Sequence, residues 1–145
     1  MYQFVIPIHH VNWSTRAVLE GISQKYKPKQ IYVVTSSHEI KILKDKSNSW
    51  DIENLTLLDE DDFFLSKYGL TKTDIVSWIT QNKPNYTPGW LYQQIIKLGA
   101  NDAIEQLDDV FVVWDSDLLP VNSWPILDEK KEKFALLQDL SLIHI

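Results

Sequence analysis

Residues 2–8 form an apolar, β-prone run holding Phe4, Val5, Ile6 and Ile8; it passes Pro7 and ends in the polar cluster His9-His10-Val11-Asn12. That pattern predicts a strand and a loop. Val18, Leu19 and Ile22 then follow at helical spacing, with Asn12 as a candidate cap and Pro28 barring continuation. Ile31-Tyr32-Val33-Val34, between Lys-rich and Ser-rich flanks, predicts a second, buried strand. Ser37 precedes a short helical stretch with Ile40 and Leu43. Leu55-Thr56-Leu57-Leu58 predicts a third strand, which runs into Asp59-Glu60-Asp61-Asp62. This β-α-β-α-β alternation predicts an α/β fold with a mostly parallel sheet flanked by helices and joined by right-handed crossovers.

Two helices are expected next, one near residues 63–68 and one capped by Thr73 that carries Ile75, Val76, Trp78 and Ile79. Residues 83–89, with two Pro, an Asn and a Gly, read as a loop, and residues 90–98 as a further helix. Residues 110–114 are the most strand-like run in the chain and stop at Asp115-Ser116-Asp117. Beyond it, Ile126-Leu127 and Phe134-Ala135-Leu136-Leu137 flank a charged segment, which predicts a hairpin. There is no internal repeat and no low-complexity tract.

Composition narrows the picture. At 145 residues and 44% hydrophobic content the chain can bury one core and holds a single domain at most. A net charge of -6 opposes an extended basic surface, so no nucleic-acid partner is expected. The absence of Cys rules out disulfides and thiolate metal sites and fits a reducing compartment, with the cytoplasm as the expected location. The first residues lack a cationic segment followed by a long apolar one. No apolar run reaches the ~20 residues needed for a membrane span, so neither export nor membrane insertion is expected.

In an open α/β sheet, ligands bind beyond the carboxyl ends of the strands, which is where Asp115 and Asp117 are expected to emerge. Two carboxylates one residue apart can offer oxygen ligands to Mg²⁺ or Mn²⁺, and the cation can grip a diphosphate as well. The same pair also suits an ordinary strand-end turn. On the preceding helix Trp90, Gln93, Gln94 and Lys97 recur at three- and four-residue spacing and share a face, while Leu91, Ile95 and Leu98 form the expected packing face. Gln amides can contact sugar hydroxyls, Lys97 a phosphate, and Trp90 the flat face of a base or sugar. A plain amphipathic helix with a solvated polar face accounts for that spacing equally. His9 and His10 stand where an imidazole can reach a ligand or be merely solvated. Arg16, the only arginine, is expected on the surface, and the acidic run 59–62 as a helix-starting turn. With four Gly and no Gly-rich loop, classical P-loop and dinucleotide-binding readings are disfavoured.

Gly89-Trp90-Leu91-Tyr92-Gln93-Gln94-Ile95-Ile96-Lys97-Leu98, followed by Val112-Val113-Trp114-Asp115-Ser116-Asp117, resembles a glycosyltransferase-like family long labelled a domain of unknown function. Its members pair a Gly-Trp helix carrying Gln-Gln and Lys-Leu with an Asp-Ser-Asp strand end. The strands at Phe4-Val5-Ile6-Pro7 and Ile31-Tyr32-Val33-Val34 and the segment 58–62 are similar in order and spacing, so the likeness covers most of the chain. It implies a GT-A (Rossmann-like) fold whose N-terminal half binds a nucleotide-diphospho-sugar donor. By that likeness the loop from Pro7 through His9 to Asn12, together with Thr35 and Ser36, approaches the nucleotide. Gln93, Gln94 and Lys97 line the donor site with Trp90 and Ser116, and Asp115 and Asp117 hold the metal. The implied activity is metal-dependent sugar transfer to a glycan or small-molecule acceptor.

GT-A enzymes usually continue well past this strand, so residues 1–139 are expected to be a nucleotide-sugar-binding domain incomplete at its C-terminal side, poorly active by itself. Residues 140–145 look like a translated adapter tail, and His144 is given no role. Two rival readings remain. One is a non-catalytic sugar- or partner-binding module. The other is a phosphatase with Asp115 as aspartyl nucleophile and Asp117 as acid, which the late position of the Asp-Ser-Asp strand opposes.

Overall fold

A computed structural model describes residues 1–123 and 125–126. Among these, four strands, β1 (Gln3–Pro7), β2 (Gln30–Thr35), β3 (Leu55–Asp59) and β4 (Val112–Val113), form one sheet in the order β3-β2-β1-β4 with every pairing parallel. The helices α1 (Thr15–Tyr26), α2 (Ser37–Lys46), α3 (Leu65–Tyr68), α4 (Lys72–Asn82) and α5 (Pro88–Ala103) flank it, and a 3-10 turn, Ser47–Ser49, follows α2. The expected α/β architecture is therefore the one adopted, and it is consistent with a Rossmann-like fold. The expected hairpin lies, apart from Ile126, outside the described residues.

β1 is buried along its whole length, and so is β2 after Gln30, because helices cover both faces of the sheet. Successive side chains alternate between two cores. Phe4, Ile6, Ile8, Ile31 and Val33 pack with Val18, Leu19 and Ile22 of α1 and Leu43 of α2. Val5, Tyr32 and Val34 pack on the other face with Phe63, Phe64 and the α5 residues Tyr92, Ile96 and Ala100. Each such fully buried side chain contributes about 1.5–3 kcal/mol, so these strands form the rigid floor of the molecule.

Several boundaries differ from expectation. Asn12 does not cap α1; its Oδ1 accepts from the Ser14 amide (3.0 Å) and hydroxyl (2.7 Å), closing a turn just ahead of the helix. α4 starts after Thr71 rather than Thr73. Thr71 Oγ1 accepts from the Asp74 amide at 3.2 Å and Asp74 accepts from the Thr71 amide at 2.9 Å, a reciprocal capping box that Thr73 lacks. α5 begins at Pro88, because a proline in the first turn has no N–H to leave unpaired. β4 is two residues long rather than five: Val110 is 43% exposed, and only the Trp114 amide, donating to Val5 O at 3.0 Å, extends the ladder. Among the described residues, no helix is long and apolar enough to cross a membrane.

Candidate functional site

α5 sets the site's geometry. Its inward stripe is Tyr92, Ile96 and Ala100, not the expected Leu91, Ile95 and Leu98, and Leu98 is 86% exposed. Small residues decide this. A Cβ on Gly99 would lie 2.6 Å from Phe64 Cε1, so only glycine lets the helix sit this close. At one flank the Tyr92 hydroxyl donates to the Glu60 carbonyl at the end of β3. Burial, and then the Glu60 charge, push the phenol well above its usual range, so it remains a neutral donor. The Glu60 carboxylate is itself buried and pairs with Lys72 at 2.5 Å. At the opposite flank lie Gln93 and Lys97, both half-buried, with half-buried Gln94 and exposed Trp90 further round the helix.

The turn after β4 is pinned from within. Trp114 is 2% exposed, packed beside Phe4 and Tyr26, and its indole N–H donates to Leu118 O at 2.7 Å. The Leu118 amide in turn donates to Asp115 O at 3.1 Å. With the backbone held this way, Asp115 and Asp117 stand exposed on either side of half-buried Ser116. The Lys97 ammonium donates to the Asp115 carboxylate, joining the middle of α5 to the carboxyl end of β4.

At the carboxyl ends of β1 and β2 the candidates are more firmly held. Pro7 and Thr35 are buried, and Thr35 Oγ1 is a buried side-chain atom with no hydrogen-bond partner among the described residues. The Ser36 hydroxyl accepts from the Glu39 amide at 3.3 Å as the N-cap of α2. His9 is exposed, with its ring centroid 4.1 Å from that of His10. The Glu39 carboxylate, nearly buried, accepts from the Val11 amide at 3.0 Å and lies 3.3 Å from His10 Nδ1. That amide, assisted by His10, holds the Glu39 carboxyl below its ordinary range despite the opposing effect of burial.

A family model described as a family of unknown function (DUF6492) matches residues 16–133. The chain belongs to that family. No curated protein and no solved structure matches it.

In this DUF6492 chain, the structure brings Lys97 and Asp115 into contact. It places Pro7, His9, Thr35 and Ser36 on the neighbouring strand ends, with β1 lying between β2 and β4. Glu39 was not singled out from the sequence, although Ser36-x-x-Glu39 has the spacing of a capping box; here the carboxylate reaches across to the loop after β1 instead. Tyr86 was missed as well, because it falls in a stretch read only as loop. Arg16 takes its expected surface place, paired with Glu20 at 2.9 Å. In the acidic run, Asp59 accepts from the Asp61 amide at 2.9 Å, as a turn residue does. A concavity of about 550 Å³ lined by Met1, Gln24, Pro28 and Asn54 opens at the opposite, amino end of the strands and contains none of the candidates.

Proposed function

We propose that this protein binds a nucleotide-diphospho-sugar through a divalent cation held by Asp115 and Asp117, and acts in metal-dependent glycosyl transfer to a glycan or small-molecule acceptor. The observation that carries this reading is the contact between Lys97 and Asp115, which unites the two segments of the glycosyltransferase-like resemblance at one point. That point is the carboxyl end of a parallel strand, where α/β folds receive ligands.

Asp115 and Asp117 supply two exposed carboxylates, hard oxygen donors for a cation whose other positions would be filled by water and phosphate; among the described residues no group of three or more His, Cys, Asp or Glu side chains could hold an ion. Mg²⁺ and Mn²⁺ suit such a pair, since Mg²⁺ commonly takes one or two carboxylates and completes its shell with water and substrate phosphates. When bound, the cation offsets negative charge on the departing diphosphate. Lys97 is a compact charge on a flexible stem. It neutralises Asp115 in the free protein and can turn to a phosphate oxygen when a diphosphate arrives. Two strand spacings, about 10 Å, separate the end of β2 from the end of β4. A nucleoside near Pro7, His9, Thr35 and Ser36 thus fits with a diphosphate at Asp115. Gln93 and Gln94 offer amides to sugar hydroxyls.

The test is calorimetric titration of uridine and guanosine diphosphates, with and without Mn²⁺, into wild type, Asp115→Asn and Asp117→Asn. Binding is expected to require the metal in wild type and to lose that requirement, along with most of its affinity, in both variants. Equal, metal-independent binding by all three would overturn the reading.

A further inference from the structure

We propose that Tyr86 and Trp90 form a stacking platform for a pyranose ring of the acceptor, a role that rests on the donor reading of Asp115 and Asp117. The two rings are parallel, 5° apart, with centroids separated by 6.3 Å. At that separation parallel rings cannot eclipse one another in contact. They are offset, and each leaves a flat apolar face partly bare. Tyr86 is 50% and Trp90 52% exposed, so two of the larger side chains in the chain leave half their surface in water at one place.

The platform is preorganised. Tyr86 sits between Pro84 and Pro88, and its amide closes a turn onto Lys83 O at 3.0 Å. Pro88 opens α5, and Trp90 is fixed on that helix. Little conformational entropy is therefore lost when a ligand settles on the rings.

Position selects the ligand. Trp90 precedes Lys97 by seven residues, two turns on one line of α5, which places it about 10.5 Å along the helix from the lysine that meets Asp115. α5 runs antiparallel to the strands it crosses between, so this displacement leads outward past their carboxyl ends. The space between Lys97 and Trp90 suits the donor's sugar, and the platform lies beyond it. A nucleobase also stacks on aromatic rings, but the candidate nucleotide contacts, Thr35 at the carboxyl end of β2 and Ser36 just beyond it, lie two strands from the β4 end that Lys97 meets. A pyranose presents axial C–H bonds to an aromatic face and directs hydroxyls sideways.

The full chain would be titrated with methyl glucoside, galactoside, mannoside and N-acetylglucosaminide, with and without uridine diphosphate and Mn²⁺. Binding is followed by saturation-transfer NMR and tryptophan fluorescence, with circular dichroism confirming that each variant is folded. At least one glycoside is expected to bind, undiminished by nucleotide and metal. Trp90→Ala should weaken it at least about tenfold, with Trp90→Phe retaining most of it and Trp78→Ala, an exposed tryptophan on α4, unchanged. The proposal is overturned if no glycoside binds, if binding survives Trp90→Ala, if Trp78→Ala costs as much, or if nucleotide displaces the sugar. Loss of metal-dependent diphosphate binding in Trp90→Ala, with glycosides unaffected, would make the rings a nucleobase site and overturn it too. Glycoside binding by a wild type that ignores diphosphate and metal would instead sink the donor reading and leave the sugar platform standing.

Discussion

At the carboxyl end of β2, Thr35 is fully buried, Ser36 passes directly into the cap of α2, and Glu39 ties that helix to Val11 and His10. At the carboxyl end of β4 the ladder is two residues long and half-buried, and Asp115 is held to Lys97 with half its side chain in solvent. Both ends belong to one sheet and face the same edge. The difference teaches where the molecule is braced and where it is left open. β2 has a partner strand on each side and helices over both faces, whereas β4 pairs with β1 at only two positions. Charges placed at the lightly held end can be desolvated by a ligand without first breaking the core.

If that contrast is real, truncation to alanine must cost more on β2 than on β4 by clearly more than the ~0.8 kcal/mol of the one additional methylene that isoleucine loses. Ile31 on β2 has no exposed surface, so Ile31→Ala should destabilise by about 2–5 kcal/mol through lost contact and a residual cavity. Val112 on β4 is only partly buried, and Val112→Ala should cost about 1 kcal/mol. Urea denaturation midpoints of the two variants measure this directly. Comparable losses would show that β4 is as firmly held as β2 and break the comparison.

The same contrast marks what the sequence made legible. β1 and β2 were readable because a strand buried on both faces must be a short, nearly unbroken apolar run rich in β-branched residues, and few other elements look like that; β3, only partly buried, was readable as a short leucine-rich run that stops at an acidic segment. β4 was overestimated because Val110 and Phe111 have strand-like side chains, yet register with β1 reaches only Val112 and Val113. The packing face of α5 was misread for a related reason. Leu91, Tyr92, Ile95, Ile96 and Leu98 surround much of the helix, so spacing allows two apolar stripes, and the choice was made by Gly99 fitting beneath Phe64. Lys97 and Asp115 were each visible as candidates, but their meeting depends on how far α5 descends along the sheet. Glu39 was invisible because its partners lie 28 and 29 residues away on another loop.

Glu39 sharpens the comparison through pH. Its folded carboxyl is held below its ordinary value, so the stabilisation is complete above the usual carboxylate range and is lost as pH falls through the depressed value. Charge-assisted bonds of this kind contribute about 1.5–3 kcal/mol. Glu39→Gln should therefore be less stable than wild type at neutral pH, and the gap should close progressively on acidification. Thermal unfolding of both proteins across the acid range tests it. A gap that stays constant with pH would mean that Glu39 acts by packing alone and that the β2 end is not electrostatically braced.

The smallest effect is expected at Lys97, where it should change sign with the ligand. Its pair with Asp115 is partly exposed, so Lys97→Met should cost no more than about 1 kcal/mol of stability, less at high salt. In the free protein the ammonium competes with a cation for Asp115, so its removal should strengthen binding of Mn²⁺ alone by a few-fold. In the ternary complex the same ammonium is expected to face a phosphate, so its removal should weaken uridine diphosphate binding in saturating Mn²⁺. Opposite changes in the two titrations would assign Lys97 to the phosphate and Asp115 to the metal within one site. If Lys97→Met leaves both affinities untouched and alters only the salt dependence of unfolding, the contact is a surface ion pair and the open end of β4 has no anion to receive.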